Sequence, residues 1–302
     1  MSSLNTFFIG DPRLDWSEDE QPFSAKFGDV YFSTFGGLEE STYVFINGID
    51  APKCWEDKDS FVIGEIGFGV GLNFLNTWHQ WRSTAPKHSQ LYYVSIEGYP
   101  VQKEDILRAI ARFPSLQKGM LELTQKLPPI HHGFHSIHLD QNRVHLLLIL
   151  GPVQAMLSSL IANIDAWYLD GFAPKKNPVM WSSQVIKEIA RLSHAGTKFS
   201  TFTASGVVRR DLESFGFKVD KRPGFGNKRE CLYGAFSGNT SDTGLLPYFE
   251  LMPPLSRFSR VAIIGGGIAG AALAKALKGK CSKLTIYEQN KGEALEASGN
   301  PL

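Results

Sequence analysis

From Phe61 onward the chain alternates short apolar runs with amphipathic stretches, and this alternation limits the folds open to it more than any other feature. The runs "FVIGEI", "LYYVSIE", "RVHLLLIL", "AWYLD" and "KFSTFTA" have strand length and are rich in β-branched and aromatic residues. Helical patterns fall between or after them at Leu72 to Trp81, Gln102 to Phe113, a segment beginning near Val153, Ser182 to Ser193 and Val207 to Phe215. Near-continuous apolar strands are buried on both faces, so the pattern predicts a mostly parallel sheet covered by helices on both sides, an α/β fold. The last two runs, "FKVDK" and "ECLYGAF", are separated only by "RPGFGNKR" and are expected to close the sheet as an antiparallel hairpin.

Residues 1–60 form an N-terminal extension with two β-like runs, "DVYFS" (Asp29 to Ser33) and "TYVFI" (Thr42 to Ile46). Gly36-Gly37 between them suggests a hairpin-like turn. Residues 1–237 are thus expected to form one domain, and the Gly-, Ser-, Thr- and Pro-rich stretch at 238–258 a linker. A formal net charge of +1 excludes a global field that would recruit nucleic acid, so any basic surface must be local. Cys54, Cys231 and Cys281 lie far apart, which argues against a zinc ribbon or disulfide framework and for a reducing compartment. The start of the chain has no basic segment followed by an apolar run, so a cytoplasmic protein is expected. The apolar stretch Leu146 to Ile164 is cut by Gly151-Pro152 and diluted by Gln154, Ser158, Ser159 and Asn163; a buried strand and helix fit it better than a membrane span.

Two glycine loops follow strands. In "FVIGEIGFGVGLNF", Glu65, Gly67, Gly69 and Gly71 are spaced E-x-G-x-G-x-G, and Glu97 ends the next strand. Glycines there let the backbone approach a ligand, and a carboxylate at Glu97 can accept from both hydroxyls of a ribose. The spacing differs from the pyrophosphate-binding G-x-G-x-x-G and suits S-adenosylmethionine, which has no diphosphate. A glycine-rich turn without a ligand is the plainer reading, weakened by strand, loop, helix and distant acid occurring together. The second loop, in "RVAIIGGGIAGAALAKAL", places Gly265, Gly267 and Gly270 in G-x-G-x-x-G spacing, with Glu288 ending the following strand. This fingerprint fits FAD or NAD, with Gly267 against the pyrophosphate and Glu288 on a ribose. Residues 259–302 are too few to bury a core of their own, so they are expected to be a truncated, incomplete βαβ start that does not hold FAD by itself.

In "DAWYLDGFAPKKNPVMW" a strand ends at Asp170, and "DGFAP" turns outward where ligands bind in open α/β sheets. A primary amine, with a pKa of about 10, is mostly protonated at neutral pH and is then no nucleophile. Asp170 can hydrogen-bond such an amine, orient its lone pair and stabilise the charge that develops on it. Phe172 can stack on a base or on adenine. Aspartate is also a common turn former, so a residue that merely braces the turn competes with this reading. Arg209, Arg210, Arg222, Lys228 and Arg229, with Lys218 and Lys221, gather near the same edge and can contact phosphates; a solvated charged face is the alternative. His131, His132, His135 and His138 lack cysteine partners or an H-E-x-x-H pattern, so no metal site is expected.

The blocks "DVYFS…GLEESTYVF", "GEIGFGVGLNF", "DAWYLDGFAPKKNPVMW", "TFTASGVVRRDL" and "GFGNKRE", in that order, closely resemble the bacterial bifunctional tRNA 5-methylaminomethyl-2-thiouridine biosynthesis proteins, the MnmC family. The likeness extends over essentially the whole chain, including "IIGGGIAG" and "ASGNPL". It implies a Rossmann-like class I S-adenosylmethionine-dependent methyltransferase followed by the start of an FAD-dependent oxidoreductase domain. In the family the FAD domain removes the carboxymethyl group from a modified wobble uridine of tRNA, and the methyltransferase then methylates the exposed primary amine. The resemblance assigns the cofactor to Glu65, Gly67, Gly69, Gly71, Asn73 and Gly151, the ribose to Glu97, and catalysis to Asp170. After "VHLLLIL" the family usually has Gly-Asp near the adenine amino group, whereas this chain has Gly151-Pro152; Gln154 is a candidate substitute. The expected partner is tRNA, the expected state a monomer. Two other readings remain: an FAD-dependent oxidoreductase that uses the N-terminal region as a tRNA platform, and a non-catalytic tRNA-binding module.

Overall fold

The apolar runs fold into strands whose successive side chains point to opposite faces of one sheet, and each face carries its own helical layer. The computed structural model describes residues 9–238, 249–250 and 259–289. It divides into two units, Met1–Leu251 and Met252–Leu302. The first begins with a small antiparallel sheet of β1 (Leu14–Trp16), β2 (Pro22–Ser24) and β3 (Asp29–Val30), followed by the short helix α1 (Gly37–Ser41). The main sheet then builds from β4 (Ser60–Ile66), α2 (Leu72–Thr84), β5 (Gln90–Glu97), α3 (Lys103–Ile110), α4 (Gln117–Lys126), β6 (Gly133–Leu139) and β7 (Val144–Leu150). It continues through α5 (Val153–Ser158), the two-residue β8 (Leu160–Ile161), β9 (Ile164–Leu169), α6 (Ser183–Arg191), β10 (Ser193–Thr201), α7 (Gly206–Ser214), β11 (Phe217–Pro223) and β12 (Glu230–Phe236).

The eight-stranded sheet has the order β11-β12-β10-β9-β4-β5-β7-β6. Its centre, from β10 to β7, is parallel, and β11, β12 and β6 are antiparallel to their neighbours. The alternation is plain in β7: Leu146, Leu148 and Leu150 join the core under α2, α3 and α4, while Leu147 and Ile149 join the core under α5, α6 and α7. The chain leaves β4 toward β5 on one side and reaches β9 on the other, so the strand order reverses there and a crevice opens at the carboxyl ends. The α/β class, the mostly parallel sheet and the closing hairpin β11–β12 are as expected.

The extension departs from expectation. "TYVFI" is a π-helical turn at Thr42–Ile46 that continues from α1, and Gly36 (φ 108°) leads into that helix, not into a hairpin. Val44, Phe45 and Ile46 are all buried, so the apolar run serves a buried helical turn. The carbonyls of the turn are satisfied from the sheet: Arg222 Nη2 donates to the carbonyls of Tyr43 (2.6 Å) and Val44 (2.8 Å). Of the expected linker, β13 (Phe249–Glu250) pairs in parallel with β8, and the rest from residue 239 lies outside the described residues.

The second unit shows β14 (Arg260–Ile264), α8 (Ile268–Leu277) and β15 (Lys283–Tyr287), with the two strands parallel. Gly265 has φ 98° and Gly267 caps α8. A Cβ on Gly270 would lie 1.9 Å from the Gly265 carbonyl oxygen, which explains glycine at the third motif position. Glu288 Oε2 accepts from Gly266 N at 2.6 Å. The family block "ASGNPL" lies outside the described residues.

Candidate active site

A cavity of about 850 Å³ occupies the crevice at the carboxyl ends of β4, β5 and β9. Its wall includes Gly67 and Gly69 after β4, Asn73 in the first turn of α2, Glu97 at the end of β5, and Asp170 and Phe172 after β9. Gly67 has φ 90°, and a Cβ there would lie 3.1 Å from Gly171 Cα, so the loops after β4 and β9 can touch only as glycines. Gly69 N donates to Glu97 Oε2 (2.9 Å) and Tyr99 N to Glu97 Oε1 (2.7 Å), which ties the acid to the glycine loop. Burial raises the Glu97 carboxyl above its usual range, while those amides pull it back.

Asn73 joins two carboxyl groups. Its Nδ2 donates to Asp170 Oδ2 at 2.7 Å and to Glu65 Oε1 at 3.1 Å, and Ser95 Oγ donates to Glu65 Oε2 at 2.6 Å. Gly71 caps α2 and so places Asn73 at this point. Burial pushes Asp170 up to about 7, against the opposing hydrogen bonds from Gly171 N and Asn73. It pushes Glu65 up to about 8, with the nearby Asp170 charge adding to the rise. Asp170 is thus poised to exchange a proton near neutral pH in a wall otherwise rich in apolar groups. The Phe172 ring stacks on Phe27 (4.6 Å, 26°) and meets Tyr31 edge-on (5.3 Å). The extension therefore fixes this aromatic wall.

The family model described as "S-adenosyl-L-methionine-dependent methyltransferase" matches residues 114–237. The tRNA 5-methylaminomethyl-2-thiouridine biosynthesis bifunctional protein MnmC of Magnetococcus marinus is 45% identical over 298 residues, covering 98% of this chain and 45% of that protein. Its namesake from Marinomonas sp. is 41% identical over 306 residues, covering 99% of this chain and 45% of the relative. The chain belongs to the MnmC family. It spans about half the length of the curated relatives it matches. The crystal structure of MNMC2 from Aquifex aeolicus shares the fold, with a TM-score of 0.57 at 20% identity over 82% of this chain and 75% of that one. The chain thus carries an S-adenosylmethionine-dependent methyltransferase domain.

Not every expected site residue reaches the cavity. Glu65 is 1% exposed and does not line it; the carboxyl supports Asn73 from beneath. Gly71 and Gly151 also stand behind the wall, and Gly151 N donates to the Glu97 carbonyl. Pro152 and Gln154 do line it, where the family acid is missing. Among the basic residues, Lys228 lines the cavity, paired with Glu40 (2.7 Å) and placed over Phe202 (4.5 Å). Arg222 is committed to the carbonyls of the π-helical turn, which replaces the phosphate contact expected of it. Arg209 pairs with Glu213 along α7, and Arg210 and Arg229 are exposed.

Sequence reasoning missed Tyr31, Phe35 and Glu40, which the extension brings to the cavity. No local motif marks them. The "GLEES" block was visible as part of the family resemblance, and it carries Glu40. His135 and His138 lie in β6; among the described residues no group of three or more His, Cys, Asp or Glu is placed to hold a metal ion. No helix among them is long and apolar enough to cross a membrane.

Proposed function

We propose that the chain transfers a methyl group from S-adenosylmethionine to the primary amine of 5-aminomethyl-2-thiouridine at the wobble position of tRNA. The observation that carries this reading is the pairing, in one cavity, of a glycine loop tied to Glu97 with Asp170 held by Asn73. The residues fit the cofactor: the cradle at Gly67 and Gly69 has no side chains, and Glu97 ends β5 beside it as a ribose acceptor. When bound, S-adenosylmethionine supplies an electrophilic methyl group on a sulfonium centre. Glu97 and the backbone of the glycine loop would hold its nucleoside end, and Pro152 and Gln154 line the cavity where the family acid is missing.

Asp170 does the remaining work. In its ionised form it can take a proton from the substrate ammonium or accept a hydrogen bond from the neutral amine, turning the lone pair outward. As the new N–C bond forms, the methyl–sulfur bond breaks and its electron pair stays on sulfur as a neutral thioether; the nitrogen gains positive charge, which the same carboxylate stabilises, and the proton lost by the nitrogen can pass to Asp170. Asn73 keeps the carboxylate oriented through the approach, and Glu65 keeps Asn73 oriented. Phe172 gives the base a flat apolar neighbour. A tRNA substrate would set this work in the cytoplasm, and Arg210, Lys228 and Arg229 are the candidate phosphate contacts.

FAD is assigned to the longer family members; the second unit supplies only the Gly265, Gly267, Gly270 and Glu288 geometry for it. The domain reading that goes with this is a methyltransferase over 1–237 and the first elements of a second domain from 259. The test is incubation with methyl-labelled S-adenosylmethionine and tRNA bearing 5-aminomethyl-2-thiouridine. Label is expected in that nucleoside and absent from tRNA with plain uridine there; label in neither overturns the proposal.

A further inference from the structure

The large apolar side chains exposed in the first unit are unevenly placed. Val30, Phe35 and Val179 line the cavity, whereas Leu121, Ile130, Ile161 and Val207 do not. Phe35 is 65% exposed and Val179 62%. A phenylalanine that open at a cavity mouth gains nothing from burial in the free protein. Its backbone is held, since Phe35 N donates to Ser33 Oγ at 3.1 Å, and its side chain lies next to Gly226, where an added Cβ would meet the Phe35 Cβ at 3.6 Å. Gly226 belongs to the loop joining β11 and β12, and its neighbours Phe225, Asn227 and Lys228 also line the cavity.

The cavity lining therefore combines an exposed aromatic ring, Phe35, with cations, Lys187 and Lys228, and with Asp170. A flat ring beside positive charge is the arrangement that binds unstacked nucleobases, because every base offers a π-face and every nucleotide a phosphate. We infer that Phe35 is a stacking platform for the nucleobase adjacent to the one that enters the cavity. This rests on the proposed function above. The target base must reach Asp170 with its aminomethyl group, so it fills the inner cavity and leaves the rim to its neighbour. Taking a base out of its stack costs a few kcal/mol, and a ring at the rim restores part of the lost stacking.

The test uses an anticodon stem-loop RNA with 5-aminomethyl-2-thiouridine at the wobble position and 2-aminopurine beside it. The full chain should quench 2-aminopurine fluorescence on binding. Phe35→Ala is expected to abolish the quench and raise KM for the RNA about tenfold. Its kcat, S-adenosylmethionine affinity and melting temperature should stay at wild-type values, since the ring is exposed. Phe35→Trp should restore both quench and KM, which a merely structural role would not predict. Val207→Ala, at an exposed residue outside the cavity, should change none of these. A quench and KM within twofold of wild type in Phe35→Ala overturn the inference, as does an equal effect in Val207→Ala. Methyl transfer that fails in the wild type strikes the proposed function itself; a quench that survives Phe35→Ala strikes this inference alone.

Discussion

Replacing Asp170 by Asn should move activity and stability in opposite directions. The amide keeps the shape of the carboxylate and can still accept from Asn73 Nδ2, which now stands 2.7 Å from Oδ2. What disappears is the charge. Burial lifts Asp170 from the ordinary 3.8 to about 7, so the ionised form is disfavoured in the folded protein. A rise of that size corresponds to about 4 kcal/mol; solvent at the cavity wall screens about half, leaving roughly 2 kcal/mol. Between pH 4 and 7 the folded state holds a proton that the unfolded chain has released, so this contribution lowers stability as pH rises and is fully lost above 7. Asp170→Asn removes that loss. At pH 8 the variant should melt about 5 °C above wild type, and at pH 4 the two should coincide. Its kcat should fall about 10²- to 10³-fold, roughly 3–4 kcal/mol, with cofactor affinity within about threefold. Thermal unfolding from pH 4 to 8 and steady-state kinetics with the modified tRNA measure both. A variant with wild-type kcat, or one destabilised at pH 8, would refute the reasoning and make Asp170 a brace for its turn.

Other perturbations separate the cofactor cradle from its scaffold. Glu97→Ala leaves the amides of Gly69 and Tyr99 without their acceptor and should weaken S-adenosylmethionine binding about 10- to 100-fold by calorimetry. Gly67→Ala puts a Cβ against Gly171 at a φ of 90° and should cost about 1–3 kcal/mol in thermal unfolding. Arg222→Ala should cost about 2–3 kcal/mol, because the Tyr43 and Val44 carbonyls lose charged donors. Arg229→Ala should leave the melting temperature unchanged and raise only KM for tRNA.

The parallel strands β4, β5, β7 and β9 were legible because each is an apolar run that ends at a glycine or an acid, as β4 does at Gly67 and β9 at Asp170. The cradle was legible for the same reason, since Gly67, Gly69 and Glu97 come from adjacent parallel strands. Glu65 shows the limit: the spacing marks it as part of the loop, but only the fold shows it facing Ser95 and Asn73, not the cavity. "TYVFI" misleads because β-branched and aromatic residues serve a buried helical turn as well as a strand when tertiary contacts decide. Helix α4 was overlooked although Leu116, Met120 and Leu123 carry a helical spacing. The cavity residues Tyr31, Phe35 and Glu40 arrive through long-range packing of the extension, which no local pattern encodes.

The most direct measurement follows one turnover with S-adenosylmethionine and tRNA bearing 5-aminomethyl-2-thiouridine, then identifies the modified nucleoside by mass spectrometry. The account predicts one new methyl group on the exocyclic amine, formed by the wild type and not by Asp170→Asn in the same time. A methyl group on the ring or ribose, or none on any nucleoside, would contradict it.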